Sequence, residues 1–289
     1  MNTPAISPGD PIATPPGDPI ATPPGDPIAT LVRAHDPDRF LTALFAPPEQ
    51  RAALLTLYAF GHELARARDV TSEPHLTLIR LHWWREVVEG ARRRHEVATP
   101  LSDLLDSGRL PRDLLVRIID AHETEAEPEI ETLAAWRTWL LEGMGGIAVA
   151  AATLLGAPAP ASLRPLGAAV GAARVVRWNR TLAMRGRCLL PADLLAEAGL
   201  TVAEAIAAPD ADRVAQVLRR LAGVGEAWLA AGPSGRVPRG WIAAVLPAIL
   251  ARRDLRRVTV SSPGPAPSPG PRGFGDRLAV TVAGLRARV

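Results

Sequence analysis

Side chains able to hold a metal ion are concentrated in two stretches of the sequence. They are His62, Glu63 and Asp69 in the first stretch, and Asp120, His122, Glu123 and Glu125 in the second. His122 and Glu125 are three residues apart, a spacing that places two side chains on one face of a helix and is compatible with metal binding. Acidic residues also crowd helix ends and surfaces, and Pro128 follows closely. We therefore interpret the second group as a surface cluster.

Arginines form a second set of candidates, because a guanidinium group matches the geometry of phosphate and carboxylate oxygens. The candidates are Arg66, Arg68, Arg174, Arg177, Arg180, Arg185 and Arg187. If several of them face a common interior space, they would receive an anionic head group directly. The alternative, which we favour for any one arginine, is that the side chain is solvated or paired with Glu63, Asp69 or Glu73.

Two segments of the chain resemble the segments around the catalytic helices of squalene and phytoene synthases. The run FAPPEQR at 45–51, followed by LYAF at 57–60, resembles the entry to the first catalytic helix. The run RGRCLLP at 185–191, followed by DL at 193–194, resembles the exit from the second. The resemblance covers roughly residues 36 to 255. It implies an all-α fold, an isoprenoid-synthase-like antiparallel helical bundle with a central cavity.

The aspartates on which that family's chemistry depends are largely missing here. In the family, two aspartate-rich motifs face each other across the cavity and bind the Mg²⁺ ions that hold prenyl diphosphates. The first motif's opening aspartates correspond to Ala65 and Arg66, and its last to Asp69; those of the second correspond to Trp178 and Leu182. Because Mg²⁺ is held by carboxylates together with phosphates, one carboxylate cannot assemble the site. We therefore expect no bound metal.

The same resemblance selects a set of candidate ligand-binding residues. Arg177 and Arg187 match family positions, and Arg174, Arg185 and Tyr58 complete the predicted anion-binding or ligand-binding set. A tryptophan, residue 178, stands where the parent chemistry needs a carboxylate. It is predicted to plug the diphosphate end of the cavity.

The functional prediction follows from the missing aspartates. The stretch ELA at 63–65 with Asp69, and a second motif without acids, resemble a non-catalytic branch of the superfamily that includes a mitochondrial respiratory complex I assembly factor. This implies a non-catalytic protein that binds an isoprenoid, another lipid or a protein partner, and complex I assembly is the role that the resemblance suggests. The alternative is an active prenyltransferase that joins prenyl diphosphates by an altered, arginine-assisted mechanism, in which case Mg²⁺ is a cofactor.

Composition limits the other classes of function. The formal net charge is only +3, so bulk charge gives no support for nucleic-acid binding. The lone Cys188 excludes an internal disulfide and is typical of a reducing compartment. We expect a cytoplasmic protein with possible peripheral membrane contact. In that third hypothesis the segment 276–289 is an amphipathic anchor, with Leu278, Val280, Val282 and Leu285 beside Arg277, Arg286 and Arg288.

Proline and glycine divide the chain into four predicted parts. The octapeptide PGDPIATP begins at Pro8, and near-identical copies begin at 16 and 24, so 1–33 is predicted to be a disordered tail. The helical domain is predicted at 34–258, a flexible linker at 259–275 and a short helix at 276–289. Within the domain we expect one long helix from about 131 to 155 and another from 162 to the mid 180s. Pro247 is expected to kink a later helix.

Overall fold

The computed structural model describes residues 26–69, 73–260 and 270–289, with the side chain of Asp69 excepted. These residues form fifteen α-helices and no strand, which confirms the all-α prediction. The helices are α1 Pro27–His35, α2 Pro37–Ala43, α3 Pro48–Asp69, α4 Pro74–Glu89, α5 Ala98–Asp106, α6 Arg112–Glu123, α7 Leu133–Glu142, α8 Met144–Leu154, α9 Arg164–Met184, α10 Ala192–Glu197, α11 Val202–Ala207, α12 Asp212–Ala231, α13 Ile242–Val245, α14 Pro247–Val260 and α15 Phe274–Arg286. Short 3₁₀ helices span Thr124–Ala126 and Pro160–Leu163.

The first helix begins within the segment that was predicted to be a disordered tail. The Asp26 carboxylate accepts a hydrogen bond from the backbone N–H of Ile28 at 3.0 Å, and Pro27 occupies the first helical position. The predicted tail boundary at residue 33 is therefore wrong, and the rest of that tail, 1–25, lies outside the described residues. In this last copy of the octapeptide the threonine is followed by leucine and valine rather than proline. Ile28 and Val32 can then be buried in the core.

The long helix predicted from residue 131 to 155 is in fact two helices. Gly143 separates α7 from α8 with φ −74° and ψ −83°, outside the helical region. The break lets α8 pack tightly against α9. A Cβ atom on Gly167 of α9 would lie 2.4 Å from the carbonyl oxygen of Met144. The crossing of α8 and α9 therefore requires glycine at position 167, because the two backbones are in direct contact there.

Helix α9 lies at the centre of the bundle and packs against α7, α8, α12 and α14. Its small buried residues, such as Ala168 and Ala172, allow these neighbours to approach closely. Large side chains fill the remaining space, and Trp136 of α7 stacks on Trp228 of α12 with ring centroids 5.9 Å apart. Leu246, which keeps helical backbone angles (φ −56°, ψ −34°), separates the short helix α13 from α14, and α14 begins at Pro247, where a kink was predicted.

The C-terminal part of the chain is anchored to the bundle. Helix α14 continues to Val260, so the predicted linker 259–275 begins inside a helix, and residues 261–269 of it lie outside the described residues. Helix α15 packs on α14 and buries Val280. The predicted anchor is therefore wrong to include Val280, whereas its Leu278 and Leu285 are exposed. Among the described helices, none combines the length and apolar composition needed to cross a bilayer.

Candidate functional site

A cavity of about 400 Å³ opens between α2, α9, α14 and the segment 270–272. Three of the predicted site residues, Arg174, Arg177 and Trp178, line it from α9. Trp178 remains 41% exposed, so it borders the cavity instead of plugging it. The other charged or histidine side chains in the lining are His35, Asp36, Asp38, Arg39, Asp254 and Arg272.

Asp36 neutralises the first group of arginines in this cavity. One carboxylate oxygen accepts a hydrogen bond from the Arg39 backbone N–H at 3.1 Å and so caps α2. The other oxygen lies 3.2 Å from the Arg174 guanidinium and 3.7 Å from that of Arg39. The turn between α1 and α2 therefore places an acid directly opposite α9, where Arg174 was predicted to meet a ligand.

Arg39 forms the floor of the cavity and is only 7% exposed. Its guanidinium lies 5.1 Å from the ring centre of Tyr58 and donates to the Met144 sulfur at 3.3 Å. Burial lowers the pKa of Arg39, and the negative charge of Asp36 opposes this effect. Burial also raises the pKa of Tyr58 to about 12, so its hydroxyl stays protonated. Tyr58, a predicted ligand contact, is thus covered by an arginine of the same chain.

Behind Arg39, a second cavity lies between α3, α8 and α9. It holds only about 20 Å³ and is lined in part by Tyr58, Met144 and Gly167. A volume of this size accommodates about one water molecule. The close crossing of α8 and α9 therefore leaves little space in the interior behind Arg39.

Asp254 and Arg272 form the second charged group of the main cavity. The Asp254 carboxylate lies 3.2 Å from Arg177, 2.8 Å from Arg257 and 2.7 Å from Arg272. Arg272 also contacts Asp38 at 2.7 Å. Burial is the largest single influence on the pKa of Arg272 and lowers it. The hydrogen bonds to Asp38 and Asp254 and their negative charges together outweigh burial, so the pKa is raised. Arg177, one of the two arginines that match family positions, is thus engaged by an internal carboxylate.

The second acidic stretch is partly buried, so its interpretation as a surface cluster is wrong for two of its members. The His122 imidazole lies 2.9 Å from the Glu125 carboxylate, and Arg187 lies 3.0 Å from the same carboxylate. Arg68 donates to the Glu125 carbonyl at 3.2 Å. Burial raises the pKa of Glu125, but the hydrogen bond from His122 and the charge of Arg187 outweigh it and lower the pKa. The other two members, Asp120 and Glu123, are partly exposed and contact Arg85.

The remaining motif positions do not converge on the main cavity. Arg66 is exposed and pairs with Glu63 at 3.3 Å, and it borders a different cavity next to α4. Ala65 and Leu182 are half-buried and absent from the cavity lining, and Arg185 is exposed. Arg68, near the end of α3, and Arg187, just beyond α9, instead meet around Glu125.

The described residues do not fit the Mg²⁺ cluster that the family resemblance implies. No group of three or more His, Cys, Asp or Glu side chains within 26–68, 73–260 and 270–289 is placed to hold a metal ion. The cavity carboxylates Asp36, Asp38 and Asp254 each contact an arginine instead. Binding a hard cation there would require breaking these pairs.

Sequence reasoning missed Arg39, Asp36, Asp254 and Arg272 as members of this cavity. Asp254 carried a local signal, because it is the lone acid within the run RRDLRR at 252–257. Asp36 is followed by Pro37, a pair that is typical of a helix start and does not indicate a role in a cavity. Arg272 and Arg39 gave no local signal, since their partners are distant in sequence.

The profile of the squalene/phytoene synthase family matches residues 32–264, and the chain belongs to this family. Among solved structures, a dehydrosqualene synthase in complex with a ligand superimposes with a TM-score of 0.71 at 13% identity, covering 89% of this chain and 94% of that one. Squalene synthase HpnC from Alicyclobacillus acidocaldarius gives a TM-score of 0.60 at 16% identity, covering 90% and 92%. At these identities the structural matches define the fold.

Curated relatives are proteins named NADH dehydrogenase (ubiquinone) complex I, assembly factor 6. The Homo sapiens protein is 32% identical over 97 residues, which is 32% of this chain and 29% of that protein. The Rattus norvegicus protein is 32% identical over 115 residues, covering 36% and 34%. The chain thus matches about a third of the length of these relatives.

Proposed function

We propose that this chain is a non-catalytic member of the squalene/phytoene synthase family that acts in the assembly of respiratory complex I by binding a protein partner. The observation that carries the proposal is the internal neutralisation of the family's cavity. Its arginines and carboxylates satisfy one another, as in Arg174 with Asp36 and Arg177 with Asp254. Charges used in this way are not available to hold a metal-bound diphosphate.

The small space behind Arg39 favours a protein over an isoprenoid as the partner. An apolar prenyl chain needs a deep pocket, whereas the cavity behind Arg39 holds about 20 Å³. The relatives named as complex I assembly factors support the assembly role, although the match spans about a third of their length. We place the protein in the cytoplasmic compartment, which its lone Cys188 supports.

A turnover assay tests the non-catalytic part of the proposal. The purified chain is incubated with farnesyl or geranylgeranyl diphosphate and Mg²⁺, and products are extracted and analysed by mass spectrometry. We expect no prenyl transfer. Turnover by the wild-type chain that is lost in a folded Arg177→Gln, Arg187→Gln variant would establish the alternative, an arginine-assisted prenyltransferase.

A depletion experiment tests the assembly part. The gene is deleted in its source organism, and complex I is quantified by native gel electrophoresis and by NADH oxidation in isolated membranes. We expect reduced complex I with other respiratory complexes unchanged, and restoration by the wild-type gene. The variant Arg177→Gln, Arg187→Gln, if folded, should also restore assembly, because a scaffold does not need catalytic arginines. Normal complex I in the deletion strain would contradict the proposal.

A further inference from the structure

Helix α15 presents an apolar ridge to solvent. Phe274, Leu278 and Leu285 are 81%, 47% and 65% exposed, whereas Asp276 and Val280 face the bundle and are buried. At 3.6 residues per turn, the three exposed side chains fall within an arc of about 40° on the outward face. Large exposed apolar side chains grouped in this way mark an interaction surface.

The charge around this ridge is strongly basic. The stretches 232–260 and 270–289 contain ten arginines and two acidic residues, a formal charge of +8, although the whole chain carries only +3. The two acids, Asp254 and Asp276, are buried and pair with Arg253, Arg257 and Arg272. The other exposed arginines of these stretches do not pair with them and supply the positive surface charge: Arg236, Arg239, Arg256, Arg277, Arg286 and Arg288. The modest net charge of the chain therefore conceals a positively charged C-terminal part.

Arginines flank the ridge itself. Arg277, Arg286 and Arg288 are all exposed, and within the described residues no acidic side chain lies within ion-pair distance of them. Arg239 donates to the Leu285 carbonyl at 3.4 Å and brings a further guanidinium to the same end of α15. Long arginine side chains can lie along an apolar surface while their charged ends reach polar groups.

We propose that α15 docks this chain onto a membrane surface rich in anionic phospholipids. Phe274, Leu278 and Leu285 enter the boundary between head groups and acyl chains, and the flanking arginines bind lipid phosphates. The apolar ridge at the centre of the basic surface distinguishes this partner from a nucleic acid, whose phosphates would meet no complementary group there. The inference is independent of the proposed assembly role, because it rests on the surface of α15.

Binding to vesicles tests the proposal directly. Vesicles of phosphatidylcholine with phosphatidylglycerol, and vesicles of phosphatidylcholine alone, are sedimented with the full chain, and the bound fraction is measured. We expect binding to the anionic vesicles that weakens as salt is raised from low to physiological concentrations. Equal binding to both vesicle types, or binding to neither, would overturn the proposal.

Two sets of substitutions assign the binding to this surface. Replacing Phe274, Leu278 and Leu285 by serine should reduce vesicle affinity on the order of a hundredfold, since burial of these side chains drives insertion. The matched control is Ile79→Ser, which alters a side chain 61% exposed on α4 and should leave affinity unchanged. Unchanged vesicle binding by the folded triple variant would refute the docking role of α15.

The charge variants provide the second test. Replacing Arg277, Arg286 and Arg288 by glutamine should weaken binding to anionic vesicles by about fivefold per arginine. The control changes the same number of exposed arginines elsewhere, with Arg94, Arg109 and Arg137 replaced by glutamine. If both triple variants lose the same affinity, the interaction reflects bulk charge and the proposal is wrong. Binding of a DNA duplex in the absence of vesicle binding would likewise overturn it.

Discussion

The ion pairs that attach α15 to the bundle can be tested through the buried carboxylate of Asp276. Its carboxylate lies 2.6 Å from Arg253, 2.6 Å from Arg257 and 3.5 Å from Arg272. Burial by itself raises the pKa of Asp276, but hydrogen bonds from Arg257 and Arg253 outweigh it and lower the pKa from 3.8 to about 2. A carboxylate whose pKa is lower in the folded than in the unfolded state stabilises the folded state at pH values above the unfolded-state pKa. This stabilisation is lost as the pH falls through the folded-state pKa.

The magnitude follows from the size of this shift. A difference of about 1.8 units corresponds to about 2.4 kcal/mol at pH 6, and about 1.3 kcal/mol remains at pH 3. The variant Asp276→Asn removes the titrating group and leaves a side chain of similar size. Its free energy of unfolding should therefore be lower than that of the wild type by at least this amount at pH 6, and the difference should shrink on acidification.

Urea unfolding followed by circular dichroism at pH 6, 4.5, 3.5 and 3 measures this difference. The control is Asp113→Asn, because Asp113 contacts Arg117 at 3.0 Å but is largely exposed. That pair should contribute under about 1 kcal/mol at any pH. A stability difference for Asp276→Asn that stays constant from pH 6 to pH 3 would refute the assignment of a lowered pKa to this group.

Three further predictions concern packing and the second charged cluster. Gly167→Ala should reduce stability by about 1–3 kcal/mol, because the new Cβ would meet the backbone of α8. Gly223→Ala on α12 should raise stability by about 0.5–1 kcal/mol, because its Cβ would meet open space. Chemical denaturation of both variants measures the contrast. Trp136→Ala should cost about 3–5 kcal/mol, since the fully buried ring also donates a hydrogen bond to the Leu189 carbonyl, and an unfolding midpoint near that of the wild type would contradict this. Glu125→Gln should reduce stability by about 3 kcal/mol at neutral pH, and this loss should shrink as the pH falls through the lowered pKa of Glu125. Thermal melts measure the loss, and Glu127→Gln on the exposed turn should leave the melting temperature unchanged.

Helix boundaries were largely predictable from the sequence because they depend on local chemistry. An aspartate followed by proline, as at Asp36 and Pro37, is typical of a helix start, and Asp36 accepts the capping hydrogen bond at 3.1 Å in the structure. The error at Gly143 arose because glycines within an apolar segment, here Gly143, Gly145 and Gly146, give the same apolar pattern whether or not the helix continues. The close packing of α8 on α9 decides that the backbone departs from helical geometry there.

The octapeptide repeat shows a limit of local reasoning. The sequence Asp-Pro-Ile-Ala-Thr occurs three times, and in its last copy Asp26 caps a helix that buries Ile28. The tripeptide Asp-Pro-Ile is identical in each copy, so local propensity cannot distinguish them. The residues that follow, including Val32, supply the apolar surface that packs against the bundle and compensates for the entropy of ordering the chain.

By itself, the sequence determined that this chain is all-helical and that the motif positions Ala65, Arg66, Trp178 and Leu182 are not acidic, because both conclusions depend on residue type and short spacing. Tertiary structure alone decided how the remaining charges are used. Asp36 and Arg174 are 138 residues apart, and Asp38 and Arg272 are 234 apart. No local period encodes such pairs, since charge attraction in the buried cavity depends on distance in space and the chain must fold before these side chains can meet.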